Sequence, residues 1–376
     1  MQLYIHLPFC KSKCQYCDFN SCANMDEGTV FSYLSALNTE IKLAAEVYGK
    51  ADIDTVYIGG GTPSLLEPNK IQSICRVLAS NFDLSEIREF TIECNPESID
   101  ENKLSVYKAC GIDRISIGIQ SLCDANLKSM GRLHNSKTAI EKLTLARKYC
   151  DNVSCDIIVG LPYDTVDIVK NEINTLAPLV RHISVYALTV EEDTPLAKRV
   201  EDGRVLLPDE DEVADFLTIA EDELNKHGLK KYEISNFSVE GKESRHNLGY
   251  WTDAEYIGIG AGAHSYIKTK DGTQPLNAGI RFAHPKDINA YIAGINCAGS
   301  FDNIPRAEMS VLSEKDIFNE RIMLGLRTVR GVESELLEGR IPDELKCYFK
   351  EENGYISLTK SGMAVMNSIL VRIMQF

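Results

Sequence analysis

The sequence predicts an α/β protein: a partial (βα)6 barrel of the TIM-like kind, followed by a small, mainly helical C-terminal module. Three observations predict it. β-like runs alternate with amphipathic helical stretches through the first half of the chain, polar and glycine-rich residues fall just after those runs, and the alternation stops near residue 205.

The β-like segments are residues 2–7, 55–58, 89–94, 114–119, 153–159 and 183–188, short runs rich in β-branched residues. Between them, residues 30–47, 70–79 and 136–149 carry the apolar spacing of amphipathic helices. Six βα units in series imply a parallel sheet with right-handed crossovers, curled into an incomplete barrel. All strand C-terminal ends then meet at one rim, where parallel barrels hold their active sites. The polar residues follow that rule. The cluster Cys10, Cys14 and Cys17 follows the first strand, Gly59-Gly60-Gly61-Thr62-Pro63 the second, and Glu93-Cys94-Asn95-Pro96 closes the third. Gln120 follows the fourth, and Asp156 lies inside the fifth, ahead of Gly160-Leu161-Pro162.

Beyond residue 205 the elements are of another kind. Pro208 suits the first turn of an acidic helix running to about Lys226. A short strand at 230–234, a polar glycine-rich stretch at 244–266, a helical segment from about Glu308, a β-like run at 354–358 and a final helix from Lys360 complete the chain. Residues 1–235 are expected to form the barrel, 236–305 a connecting region and 306–376 the C-terminal module.

With 376 residues, 44% hydrophobic and 25% charged, the chain can bury one large core or two moderate ones. A net charge of −15 without a cluster of Lys and Arg argues against a nucleic-acid surface. No run of 18 apolar residues occurs, and residues 2–7 read as a strand rather than as a secretory leader. A reducing cytoplasm is the expected compartment.

Cys10, Cys14 and Cys17 in Phe9-Cys-Lys-Ser-Lys-Cys-Gln-Tyr-Cys17 are spaced for a soft metal centre, and three thiolates fall one short of a closed site. Structural zinc is disfavoured because no second Cys or His pair with zinc spacing follows. A disulfide framework is disfavoured in a chain of this size, and the other nine cysteines read mostly as small buried hydrophobes, with Cys22 a spectator. The glycine run reads either as a sharp strand-to-helix turn or as backbone that approaches a ligand closely. It lacks the Gly-Lys-Ser/Thr ending of a P-loop. Glu93 and Asp156 lie in or at the end of apolar strands, where an unpaired charge would be expensive.

The Cys10-x3-Cys14-x2-Cys17 pattern, with Tyr16 before the last cysteine and the glycine run at the end of the next strand, resembles the signature of radical S-adenosylmethionine enzymes. The resemblance implies a [4Fe–4S] cluster held by the three cysteines, with S-adenosylmethionine chelating the fourth iron. Tyr4-Ile-His-Leu-Pro-Phe-Cys10, Ile117-Gly-Ile-Gln120-Ser121, Arg132 in Met-Gly-Arg-Leu-His and Asp156-Ile-Ile-Val-Gly-Leu-Pro are together similar to the oxygen-independent coproporphyrinogen III oxidase group, over essentially the whole chain. That group's pattern implies cofactor contacts at Tyr4, Tyr16, Gly60, Gly61, Thr62, Glu93, Gln120, Arg132 and Asp156, with a backbone contact at Ala187. Read alone, an Arg after a helix has a merely solvated cation as its lesser alternative.

Two departures separate the chain from the decarboxylating oxidase. Phe19 stands where that enzyme has a fourth cysteine, and the first strand begins at residue 2 without the oxidase's longer extension. Both match the related haem chaperone family. A third mark is Ser244-Arg-His246-Asn247-Leu-Gly-Tyr250-Trp251, which resembles that family's His-Asn-x-x-Tyr-Trp motif, implicated in haem binding. An imidazole is a usual haem-iron ligand, and aromatic faces suit a porphyrin. By themselves the residues leave open a partly buried structural histidine. His264 is ambiguous, His6 is expected to orient the cluster strand, and His134, His182, His227 and His284 receive no role.

The expected function is haem binding and delivery to apoproteins such as respiratory haemoproteins, with a [4Fe–4S] cluster and S-adenosylmethionine. The alternative is oxygen-independent coproporphyrinogen III dehydrogenase. Haem and haem-accepting apoproteins are the expected partners; peripheral membrane contact and a homodimer are left open.

Overall fold

The computed structural model describes residues 1–268 and 279–374. Six parallel strands lie side by side in chain order: β1 (Gln2–Leu7), β2 (Thr55–Gly60), β3 (Glu89–Cys94), β4 (Arg114–Gln120), β5 (Asn152–Val159) and β6 (His182–Ala187). The helices between them include Glu27–Tyr48, Pro68–Asn81, Glu101–Ala109, Ser136–Tyr149 and Val166–Leu176. Four of these begin where a side-chain oxygen, on Asp26, Asp100, Asn135 or Thr165, accepts from a backbone N–H of the first turn.

The strands alternate in an unusual sense. Leu3, Ile5, Val56, Ile58, Ile115 and Ile117 join the helices in a continuous apolar shell and are almost fully buried. The intervening positions are polar: Tyr57, Glu93, Arg114, Ser116, Asp156 and Ser184 line a cavity inside the barrel. Successive side chains of a strand point to opposite faces, so the hydrophobic core is the outer layer and the lumen is free for chemistry.

On the other side of β1 the sheet continues through Tyr256–Ile259, His264–Lys268, Gly279–Ala283 and Glu308–Leu312, and beyond β6 it adds Asn236–Ser238 and Lys230–Lys231, giving twelve strands. Several expectations for this half are corrected. Pro208 precedes the acidic helix rather than opening it. Asp209 is the cap of Glu210–Lys226, and the carboxylate of Glu212 returns to the Asp209 N–H. The stretch at 244–266 holds a helix, Arg245–Trp251, and two strands. The segment from Glu308 starts as the last strand of the sheet; a Ser313–Asp316 capping box delays the helix to Glu314–Gly325. Beyond it, a three-stranded antiparallel sheet packs with the helices around a separate core that includes Ile322, Leu326, Leu337, Leu358 and Leu370.

Candidate functional site

The cysteine loop leaves the C-terminal end of β1 and returns to it. Phe9–Cys10 pairs with Cys22–Ala23, and the carbonyl of Pro8 accepts from Cys22 N. His6, buried beneath the loop, bonds the Asn20 carbonyl through Nε2 at 2.8 Å and the Tyr4 hydroxyl through Nδ1 at 3.0 Å. Asn20 in turn donates to Ala261 O and Lys286 O. Gln15 N bonds Met130 O and Gln15 O accepts from Leu196 N, so the loop is held on its other flank too. Tyr16 packs there against Met130, Ile158, Leu161 and Leu196.

Cys10, Cys14 and Cys17 open into one cavity of about 410 Å³ at the barrel mouth. Among the described residues no three His, Cys, Asp or Glu side chains converge closely enough for a single metal ion. A polynuclear cluster takes its thiolates on different irons and needs no such convergence. Two donors already face the sulfurs: Thr62 Oγ1 lies 3.6 Å from Cys10 Sγ and Arg132 Nη1 3.5 Å from Cys14 Sγ. Burial raises the Cys10 and Cys17 thiols above their ordinary range, so a metal centre would have to displace their protons.

Arg132 is not a solvated cation. Its Nη2 donates to Gly118 O at 2.6 Å and to Asn95 Oδ1 at 2.9 Å, while its buried Nε has no protein partner. An orphaned donor beside three thiols fits an anionic ligand in the cavity. The glycine run makes a tight turn packed closely against the cysteine loop. Gly60 takes φ +116°, and a Cβ on Gly61 would sit 2.8 Å from Phe9 O and 3.0 Å from Cys10 Sγ. Gly61 N and Thr62 N donate to Leu7 O and Phe9 O, binding the run to the cysteine loop.

Glu93 accepts from Tyr57 OH at 2.6 Å and from Gly60 N at 3.0 Å. Burial pushes its carboxyl up to about 7; these two hydrogen bonds oppose the shift and nearby Asp156 adds to it. Burial likewise raises Asp156, which accepts from Ser116 at 3.3 Å. Gln120 has φ +70° beside a register shift at the end of β4, a strained non-glycine position on the cavity wall. Ala187 reaches the cavity from the end of β6. The expected cofactor residues Tyr16, Gly60, Gly61, Thr62, Glu93, Gln120, Arg132, Asp156 and Ala187 therefore share one cavity with the three cysteines. Tyr4 is set apart from its wall, with its hydroxyl spent on His6. Tyr57, Asn95 and Arg114 went unassigned in the sequence, although a charge or amide at alternate positions of apolar strands, as in Arg114-x-Ser116-x-Gly118-x-Gln120, is a signal for the lumen face.

The expected haem residues lie elsewhere. His246, Asn247, Tyr250 and Trp251 occupy the Arg245–Trp251 helix at the opposite, N-terminal end of the strands, against Gln2, Thr55 and Glu89. His246 is 1% exposed, with Nδ1 bonded to Thr55 Oγ1 at 2.7 Å and Nε2 to Tyr250 OH at 3.0 Å. Both ring nitrogens are thus engaged by protein hydroxyls, the arrangement of a buried structural histidine. Of the four, Asn247 alone touches the barrel cavity.

A family model for the radical SAM superfamily matches residues 4–176. The chain is 35% identical over 357 residues to the haem chaperone HemW of Bacillus subtilis (strain 168), covering 91% of this chain and 89% of that protein. It is 33% identical over 353 residues to the haem chaperone HemW of Lactococcus lactis subsp. lactis (strain IL1403), covering 93% and 86%. Among solved structures, coproporphyrinogen III oxidase (HemN) from Escherichia coli superposes with a TM-score of 0.83 at 20% identity, over 100% of this chain and 90% of that one, which shows the fold. From the cysteine-lined barrel mouth to the C-terminal unit, the chain belongs to the HemW family of the radical S-adenosylmethionine superfamily.

Proposed function

We propose that the protein is a haem chaperone, binding haem and delivering it to haem-accepting apoproteins. The observation that carries this is the identity of 33–35% to relatives named haem chaperones, over about nine-tenths of the chain. Phe19 supports it: at 71% exposure it stands on the cavity rim where the decarboxylating oxidase pattern places a cysteine. Cys10, Cys14 and Cys17 would hold a [4Fe–4S] cluster, and Gly60, Gly61, Thr62, Glu93, Gln120, Arg132, Asp156 and Ala187 would surround S-adenosylmethionine. When bound, the two supply one-electron chemistry at a carbon–sulfur bond. The chain's own contribution is to orient them, to aim Arg132 and Thr62 at the sulfurs, and to shield the lumen from bulk water.

No helix among the described residues is long and apolar enough to cross a membrane. The reading places delivery in the cytoplasm, with peripheral contact at a membrane-bound acceptor; self-association is a further element of the proposal, to be read from solution mass.

Cluster-reconstituted protein is expected to bind haem stoichiometrically in an absorbance titration and to pass it to an apo-haemoprotein. Absence of haem binding, with anaerobic conversion of coproporphyrinogen III in the presence of S-adenosylmethionine and a reductant, would establish the dehydrogenase instead.

A further inference from the structure

We propose that the His246 segment is the floor of the S-adenosylmethionine pocket, a positioning element that acts through Tyr57 and Glu93 rather than a haem-iron ligand. The inference rests on the cofactor reading above.

The connection is continuous. The His246 ring stacks on Tyr57 with centroids 5.0 Å apart and planes inclined by 29°, while its two nitrogens are pinned by Thr55 and Tyr250. Tyr57 is thereby fixed in the lumen with its hydroxyl donating to Glu93 Oε1. The other oxygen of Glu93 holds Gly60 N–H, the first glycine whose backbone shapes the pocket. Thus the chain from His246 to Gly60 contains a ring stack and two hydrogen bonds, and no solvent-exposed group. Asn247, next in the helix, lines the same cavity.

The helix is itself seated by the barrel. Glu89 accepts from Ser244 Oγ, Arg245 N and His246 N, placing a carboxylate on the helix N-terminus. Gln2 Nε2 donates to the carbonyls of Arg245 and His246, and a Cβ at Gly249 would lie 1.9 Å from that nitrogen. Glycine at the second variable position of the motif therefore lets Gln2 lie against the helix. Burial, with Arg114 nearby, depresses the imidazole to about 3 and keeps it neutral, one nitrogen donating and the other accepting. Thr55 and Tyr250 carry hydroxyls that can answer either tautomer. An iron at this imidazole would have to displace Thr55 from Nδ1 or Tyr250 from Nε2 and reach a ring that is 1% exposed.

The test uses full-length, cluster-reconstituted wild type, His246→Phe, Thr55→Val and Thr55→Ser. Thr55 is fully buried, so its replacement removes a His246 partner without touching any surface a porphyrin could reach. Expected are a loss of S-adenosylmethionine affinity of about tenfold in His246→Phe and Thr55→Val, the size of one lost buried hydrogen bond, and a smaller cofactor-induced change in the reduced cluster's paramagnetic resonance spectrum. Thr55→Ser should behave as wild type, and haem titrations should be unchanged throughout. Loss of haem binding in His246→Phe with cofactor affinity retained would overturn the proposal, as would a Thr55→Val affinity within about twofold of wild type. Iron content separates a displaced pocket from a lost cluster; if only His246→Phe loses iron, the Thr55 pair decides. Wild-type protein that binds no S-adenosylmethionine would overturn the cofactor reading itself, and this inference with it.

Discussion

Glu93 shows how strongly a single residue depends on its surroundings. An ordinary carboxyl is ionised well below neutrality, whereas burial raises this one from 4.5 to about 7. Its folded value lies above its unfolded one, so its contribution to stability is fully present below about 4.5 and is lost as pH rises through about 7. Only the ionised form can accept fully from both Tyr57 and Gly60. S-adenosylmethionine affinity is therefore expected to rise with pH through about 7, and Glu93→Gln should flatten that rise in equilibrium dialysis. Arg132 is bound by geometry rather than titration. A Lys there keeps the charge but loses the fork that serves Gly118, Asn95 and Cys14 together. Arg132→Lys should lower the iron retained per chain after reconstitution, measured colorimetrically.

Among the elements, the Arg245–Trp251 helix is too short to be stable alone. It exists because Glu89, Gln2 and Thr55 complete it from the strand side. Glu89→Gln preserves volume but weakens three hydrogen bonds at the helix N-terminus. A destabilisation of about 1–3 kcal/mol is expected in urea unfolding. This helix was hidden in the sequence within a polar, glycine-rich stretch because no amphipathic repeat announces it. The barrel strands were legible, with 2–7 and 89–94 matching to the residue, because β-branched alternation is a local property. Pro208 misled for the converse reason: proline and Asp209 are both start signals, and the side-chain cap determined which residue begins the helix.

Across the whole molecule, an apolar shell outside a polar lumen lets the barrel be stable without filling its centre. The C-terminal unit has its own core and joins the barrel through a few specific contacts. One is the fork of Arg281 on Glu320, at 2.7 and 2.9 Å; another is the bridge between Glu233 and Thr328. Arg281→Ala is expected to speed amide hydrogen exchange in residues 314–374 while leaving β1–β6 protected, as read by mass spectrometry.

The sequence by itself determined the barrel, the rim that carries the chemistry and the three cysteines. Strand periodicity and short-range spacing depend on neighbours along the chain, and these are visible in one dimension. Only the tertiary structure decided what His246 faces, because its partners Thr55 and Tyr57 lie nearly two hundred residues away along the chain. It likewise showed Arg132 to be a buried fork rather than a surface cation. Burial and long-range hydrogen bonding set the role of a polar side chain, and both arise only when distant segments pack.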